Sequence, residues 1–187
     1  MSAKPSNWPL NVVFSPQQCY HSSIPAHVLS HIRGSVHKNS KADGRSSSVS
    51  IRTITDPSHP AVRQRGLFAA KKIPQHTHII DYSGEVHADE RESDYDLTLY
   101  RNRDGDVNVG VDASKMGNEA RFINDYRGIR DKPNAVFQER RSDSGELRMS
   151  VWSSSLPIKK GDEILVSYGK GWWRARSVDG VSVKEST

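Results

Sequence analysis

The sequence has one cysteine, Cys19, among 187 residues. One thiol excludes an intramolecular disulfide, and it excludes any structural zinc site built from several thiolates. There is no apolar run of membrane-spanning length, and no charged-then-apolar leader opens the chain. No N-x-[ST] sequon occurs, so an intracellular protein is the default expectation. Hydrophobic residues make up 34%, enough for a modest core. A Gly-rich phosphate loop and a Ser-His-Asp arrangement are also missing.

The net charge of +5 is unevenly spread. Residues 1–50 hold five Lys/Arg against Asp43 alone, a balance of +4, and the remaining 22 basic and 21 acidic residues nearly cancel. The basic excess therefore lies in an amino-terminal extension, residues 1–48, which is a weak candidate for nucleic-acid contact. Within it, I-P-A-H-V-L-S-H-I predicts a short amphipathic helix from about Pro25 to Ile32, and the apolar cluster Trp8 to Phe14 is its one candidate for docking on the core. The stretch S-V-H-K-N-S-K-A-D-G-R-S-S-S reads as a flexible linker, which makes the extension dispensable for folding. Residues 49–176 form the expected domain, and 177–187 a loose tail.

Inside 49–176 the apolar runs are short and β-like: V-S-I-R-T-I, G-L-F-A-A, H-I-I-D-Y, V-N-V-G-V, N-A-V-F-Q, L-R-M-S-V-W and E-I-L-V-S-Y. The D-G of N-R-D-G-D-V predicts a hairpin turn. Short helices are expected in E-V-H-A-D-E-R-E-S-D-Y-D-L-T-L-Y and around S-K-M-G-N-E-A-R. One unit appears twice, I-P-Q-H-T-H-I-I-D-Y-S-G and I-K-K-G-D-E-I-L-V-S-Y-G, and it suggests two tyrosines brought from strand ends to a shared place. His76 and His78 have no third ligand nearby, so no metal is expected.

Four of these stretches, in this order, resemble the motifs of SET-domain protein-lysine methyltransferases. They are R-G-L-F-A-A-K-K-I-P, D-Y-S-G-E, V-D-A-S-K-M-G-N-E-A-R-F-I-N and G-D-E-I-L-V-S-Y-G, and they cover roughly Arg52 to Arg176. The ending Y-G-K-G-W-W-R-A-R resembles compact relatives without the zinc-binding segment, among them a small viral histone methyltransferase. The resemblance implies a mostly β fold of several short-stranded sheets with a pseudoknot, in which the polar stretch Asn118–Asn134 is held where the last motif crosses it.

The implied chemistry is methyl transfer from S-adenosyl-L-methionine, leaving S-adenosyl-L-homocysteine, to a lysine of a protein, foremost a histone tail. That substrate implies a nuclear protein, otherwise a cytoplasmic one. Tyr168 is the implied catalytic tyrosine, with Tyr82 the second wall of the lysine channel. Arg65, Gly66, Leu67, Arg121, Phe122, Asn124, Asp125, Tyr168, Trp172 and Trp173 are the implied cofactor contacts. Val166 and Tyr95 are the implied substrate-channel residues, and a valine at 166, without a hydroxyl, implies more than one methyl addition. The acids of D-E-R-E-S-D-Y-D (89–96) form either a solvated face or a lip that attracts a lysine-rich tail. Gln64 and Asp125 depart from the family pattern and keep open a catalytically silent binding module.

Overall fold

The computed structural model describes residues 3–34, 47–169 and 172–173. In chain order the elements are β1 (Val13–Phe14), β2 (Cys19–Tyr20), α1 (Ala26–Arg33), β3 (Val49–Thr53), β4 (Arg65–Ala69) and β5 (His78–Tyr82). Then come β6 (Glu85–His87), β7 (Asp96–Arg101), β8 (Asn108–Asp112), β9 (Met116–Gly117) and a 3-10 turn, Glu119–Phe122. The last are β10 (Asn124–Asp125), β11 (Ala135–Arg141), β12 (Leu147–Ser153) and β13 (Leu165–Val166). They form a three-stranded sheet β11-β12-β5, a four-stranded sheet β2-β6-β8-β7, the hairpin-like pair β3-β4, and two short parallel pairs, β1-β9 and β10-β13. The protein is mostly β, in several small sheets.

The strand expectations follow the chain closely, because the short apolar runs around Ile51, Leu67, Ile80 and Val151 all reach one buried cluster. The last expected strand shrinks to the two residues of β13. Gly105, with φ 79, turns the chain between β7 and β8 at the D-G site.

The expected helix over 85–100 is instead two strands, β6 and β7, on either side of β8. A helix would stack like charges at Glu90/Asp94 and Glu92/Asp96, four residues apart. As strands, Val86, Leu97 and Leu99 pack beside Val109 and Val111 in the core. Around S-K-M-G-N-E-A-R, only Glu119–Phe122 is helical, capped by Asn118, whose side chain accepts from the Ala120 amide at 3.2 Å.

The amino-terminal residues 3–34 are part of the folded body. Helix α1 matches the expected span and buries Val28 and Ile32. Trp8, Val12, Ile24, Val28 and Ile32 all join the common core cluster. β1 and β2 pair in parallel with β9 and β6. Most of the expected linker, residues 35–46, and the whole expected tail lie outside the described residues. Among the described residues no helix is long and apolar enough to cross a membrane.

Candidate active site

The site begins where two distant strands cross. β10 and β13 run parallel, with Asn124 opposite Leu165 and Asp125 opposite Val166, and the Tyr126 amide donates to Val166 O at 3.0 Å. The other side of the last motif is held by Asn134. Its Oδ1 accepts from the Leu165 amide at 2.8 Å, its Nδ2 donates to Glu163 O at 2.8 Å, and its amide donates to Leu165 O at 3.1 Å. Residues 163–166 thus run between the two limbs of the 126–134 loop, which is the crossing expected of the polar stretch. Its polar groups are used to hold the crossing.

A cleft of about 1060 Å³ opens beside this crossing. Tyr82 and Tyr168 both line it, although 86 positions separate them in the sequence. The duplicated turn–strand–tyrosine unit accounts for this, since its two turns pair through Ile73 and Ile158 and both strands deliver a tyrosine to one place. Tyr82 is buried, packs edge-to-face on Phe137 at 6.0 Å and donates its hydroxyl to Tyr95 O at 2.7 Å. Tyr168 donates its hydroxyl to Ile123 O at 2.7 Å. Burial first pushes both phenols above their ordinary pKa, and for Tyr168 the Asp125 carboxylate adds to the rise. Both are therefore neutral hydroxyls at physiological pH.

Asp125 organises the end of the cleft. This buried carboxylate accepts from the Tyr168 amide at 2.8 Å, from Arg127 Nη1 at 2.8 Å and from Trp173 Nε1 at 3.3 Å. Beyond it the aromatic rings form a chain, Tyr168 to Trp172 at 4.8 Å and Trp172 to Trp173 at 5.0 Å, all edge-on. Arg121 is buried, donates from Nε to Ala113 O at 2.8 Å and lies 4.3 Å from the centre of the Tyr95 ring. Asn124 donates from Nδ2 to Glu163 Oε1 at 2.8 Å, and no described residue donates to its Oδ1.

A family model described as "SET domain" matches residues 64–169, more than half of the chain. The chain belongs to the SET-domain family. Among solved structures it is similar to ATXR5 in complex with a mono-methylated histone H3.1, at 20% identity and a TM-score of 0.63, covering 86% of this chain and 82% of that one. It is also similar to a structure solved for the basis of product specificity in histone lysine methyltransferases, at 16% identity and a TM-score of 0.60, covering 87% and 89%. These likenesses establish a fold shared with SET-domain histone lysine methyltransferases.

Of the residues singled out from the SET motifs, Arg65, Tyr82, Tyr95, Arg121, Phe122, Asn124, Asp125, Tyr168, Trp172 and Trp173 line the one cleft. Gly66, Leu67 and Val166 do not. Leu67 and Val166 are fully buried in the core region. Gly66 faces Glu163, where a Cβ would lie 2.6 Å from Oε1. The glycine thus leaves room for the carboxylate that grips Asn124. Three contributors carried no sequence signal of their own. Glu163 is shared by Asn124 and His59, whose Nε2 lies 3.0 Å from Oε2, while the Ala61 amide donates to Nδ1 and fixes that ring. Ile123 offers its carbonyl to the Tyr168 hydroxyl, and Asn134 its side chain to the expected crossing.

Proposed function

We propose that this protein is an S-adenosylmethionine-dependent protein-lysine N-methyltransferase acting on a histone-tail lysine. The observation that carries the reading is the convergence of Tyr82 and Tyr168 with the Arg121–Asp125 stretch on one cleft beside the β10-β13 crossing. The cleft volume suits a cofactor-sized ligand. Its donor set also fits one: Arg65 offers a cation for a carboxylate, Asn124 Oδ1 an acceptor for an ammonium group, and Trp172 or Trp173 an aromatic surface for a purine.

When bound, S-adenosylmethionine supplies a methyl group on a sulfonium centre. The chain's own work is orientation. Tyr168, a neutral hydroxyl anchored through its amide to Asp125, is placed to align the amine and the methyl group. Tyr82 and Phe137 give the walls that strip water from the lysine. A desolvated amine near a positive charge loses its proton more readily, so no strong base is required. Two protonated phenols suit that role and suit general-base catalysis poorly.

The histone assignment draws on ATXR5, a neighbour of the same fold solved with histone H3.1. It also draws on Asp94 and Asp96, two of the acids of the 89–96 segment, which reach the cleft. A nuclear location follows from that substrate. Val166 is buried outside the cleft lining, so no hydroxyl reaches the reacting amine from this position, and more than one methyl addition is part of the proposal. Incubation with labelled S-adenosylmethionine and core histones, read by mass spectrometry, tests substrate and product degree together. No label on any histone lysine would leave a methyltransferase for a non-histone basic protein, or the silent binding module, as the better reading.

A further inference from the structure

Residues Asn7–Val12 lie far upstream of the SET-matched segment 64–169, yet Pro9, Asn11 and Val12 line the same cleft as Arg65, Phe122 and Asn124. They form a strap fixed at several points. Asn7 takes a left-handed backbone, φ 63, which asparagine tolerates better than most residues. Its Nδ2 donates to Ile51 O at 2.8 Å, and its carbonyl accepts from Arg65 Nε at 2.9 Å. Trp8 is buried, donates from Nε1 to Val12 O at 2.8 Å and meets Phe122 edge-to-face at 5.5 Å. The Val13 amide then donates to Lys115 O at 2.9 Å as the chain enters β1.

We propose that this strap is a wall of the cofactor pocket, with Asn11 a cofactor-binding residue and Trp8 a positioning residue that acts through Phe122. The inference rests on the methyltransferase reading. The strap grips Arg65 and Phe122, two residues on the cofactor side of that reading, and has no contact with Tyr82 or Tyr168 among the polar and ring contacts described. Asn11 is exposed to the cleft, and its amide has no hydrogen-bond partner among the described residues. Leu10 beside it is 96% exposed, so the strap's buried residues are Trp8, Pro9 and Val12, and Asn11 is left over for a ligand. An amide both donates and accepts, which matches a ligand carrying a carboxylate, an ammonium, hydroxyls and ring nitrogens. Because the strap is already held at both ends, little ordering cost is left to be met on binding.

The test is calorimetry of the full chain with S-adenosyl-L-homocysteine and no peptide. Asn11→Ala is expected to raise Kd about 5- to 10-fold, the loss of one hydrogen bond, with an unchanged melting temperature because the side chain supports nothing else. Trp8→Leu is expected to raise Kd similarly and to lower the melting temperature, while Trp8→Phe, which keeps a ring against Phe122, restores most of the affinity. In turnover, Asn11→Ala raises the KM for S-adenosylmethionine and leaves kcat near the starting value. Wild-type protein that binds the ligand while Asn11→Ala binds it equally well overturns the strap's role and leaves the methyltransferase reading standing. An effect of Asn11→Ala on peptide KM alone overturns it too. Wild-type protein that does not bind the ligand overturns both.

Discussion

The amide of Tyr168 donates to the carboxylate of Asp125 at 2.8 Å, across 43 residues of sequence. The same carboxylate holds Arg127 and the Trp173 indole, so one side chain ties the last SET motif, the 126–134 loop and the carboxy-terminal aromatics together. Asp125→Ala leaves all three donors without their shared acceptor. Charge-assisted bonds are each worth about 1.5–3 kcal/mol, and the Arg127 side chain, 36% exposed, can turn to water. A net loss of about 2–3 kcal/mol is expected in urea unfolding, with a red-shifted tryptophan emission as Trp173 is released. Unchanged emission and midpoint would show that Asp125 does not hold this end of the cleft.

Tyr168→Phe should lower kcat by about 10²-fold or more, the scale of lost alignment at a reacting centre, with S-adenosyl-L-homocysteine affinity within about twofold. Burial and Asp125 push the Tyr168 phenol up, so it stays protonated through neutral and mildly alkaline pH. The rate should therefore rise with pH as substrate amine deprotonates, with no fall from this group below about pH 10. A descending limb near neutrality that vanishes in Tyr168→Phe would contradict the assignment.

Asp81 sits at the centre of a buried ionic cluster between β5, β11 and β12. Burial works to raise its pKa, but hydrogen bonds from His78, Arg140, Ser150 and Arg148 outweigh it and hold the carboxyl far below the usual range. Its contribution to stability is full above the unfolded carboxylate pKa of about 3.9 and is lost as pH falls toward the folded value. Asp81→Asn should cost about 3 kcal/mol at pH 7, because Arg140 and Arg148 lose a shared buried carboxylate while Arg148 keeps Glu146, and should flatten the acid limb of the stability curve. Equal acid limbs in the two proteins would rule this out.

A cut after residue 47 removes Trp8, Val12, Ile24, Val28 and Ile32 from the core. Each such side chain is worth about 1.5–3 kcal/mol on burial, and their sum approaches the whole stability of a domain, about 5–15 kcal/mol. The truncated protein is expected to be insoluble or to show weak near-ultraviolet circular dichroism. A sharp unfolding transition in it would mean that the strap and α1 are dispensable.

Local pattern made most strands legible, since Ile51, Ile80 and Val151 sit in short apolar runs punctuated by Gly, Pro and Asp. The motif order made Tyr82, Tyr168 and Arg121–Asp125 legible as one site. What the sequence withheld depends on long-range contact. The acidic run after His87 looks helical until β8 supplies a partner for β6 and β7. The resemblance implied that Gly66 and Val166 would face the ligand, but the β10-β13 crossing turns Val166 into the core and Glu163 against Gly66. A tyrosine at 166 would therefore overpack the core, at about 1–3 kcal/mol. Trp8 and Asn11 lie outside every motif, and only the strap's path places Asn11 at the cleft and Trp8 against Phe122.

The central claim is methyl transfer to a histone lysine through Tyr168. The most direct measurement is time-resolved mass spectrometry of core histones incubated with isotopically labelled S-adenosylmethionine and either wild-type or Tyr168→Phe protein. The account predicts labelled lysine with wild-type protein, progressing beyond one methyl group at long times, and about 10²-fold less label with the variant. Equal labelling by the two proteins, or none by wild-type protein that binds S-adenosyl-L-homocysteine, would contradict it.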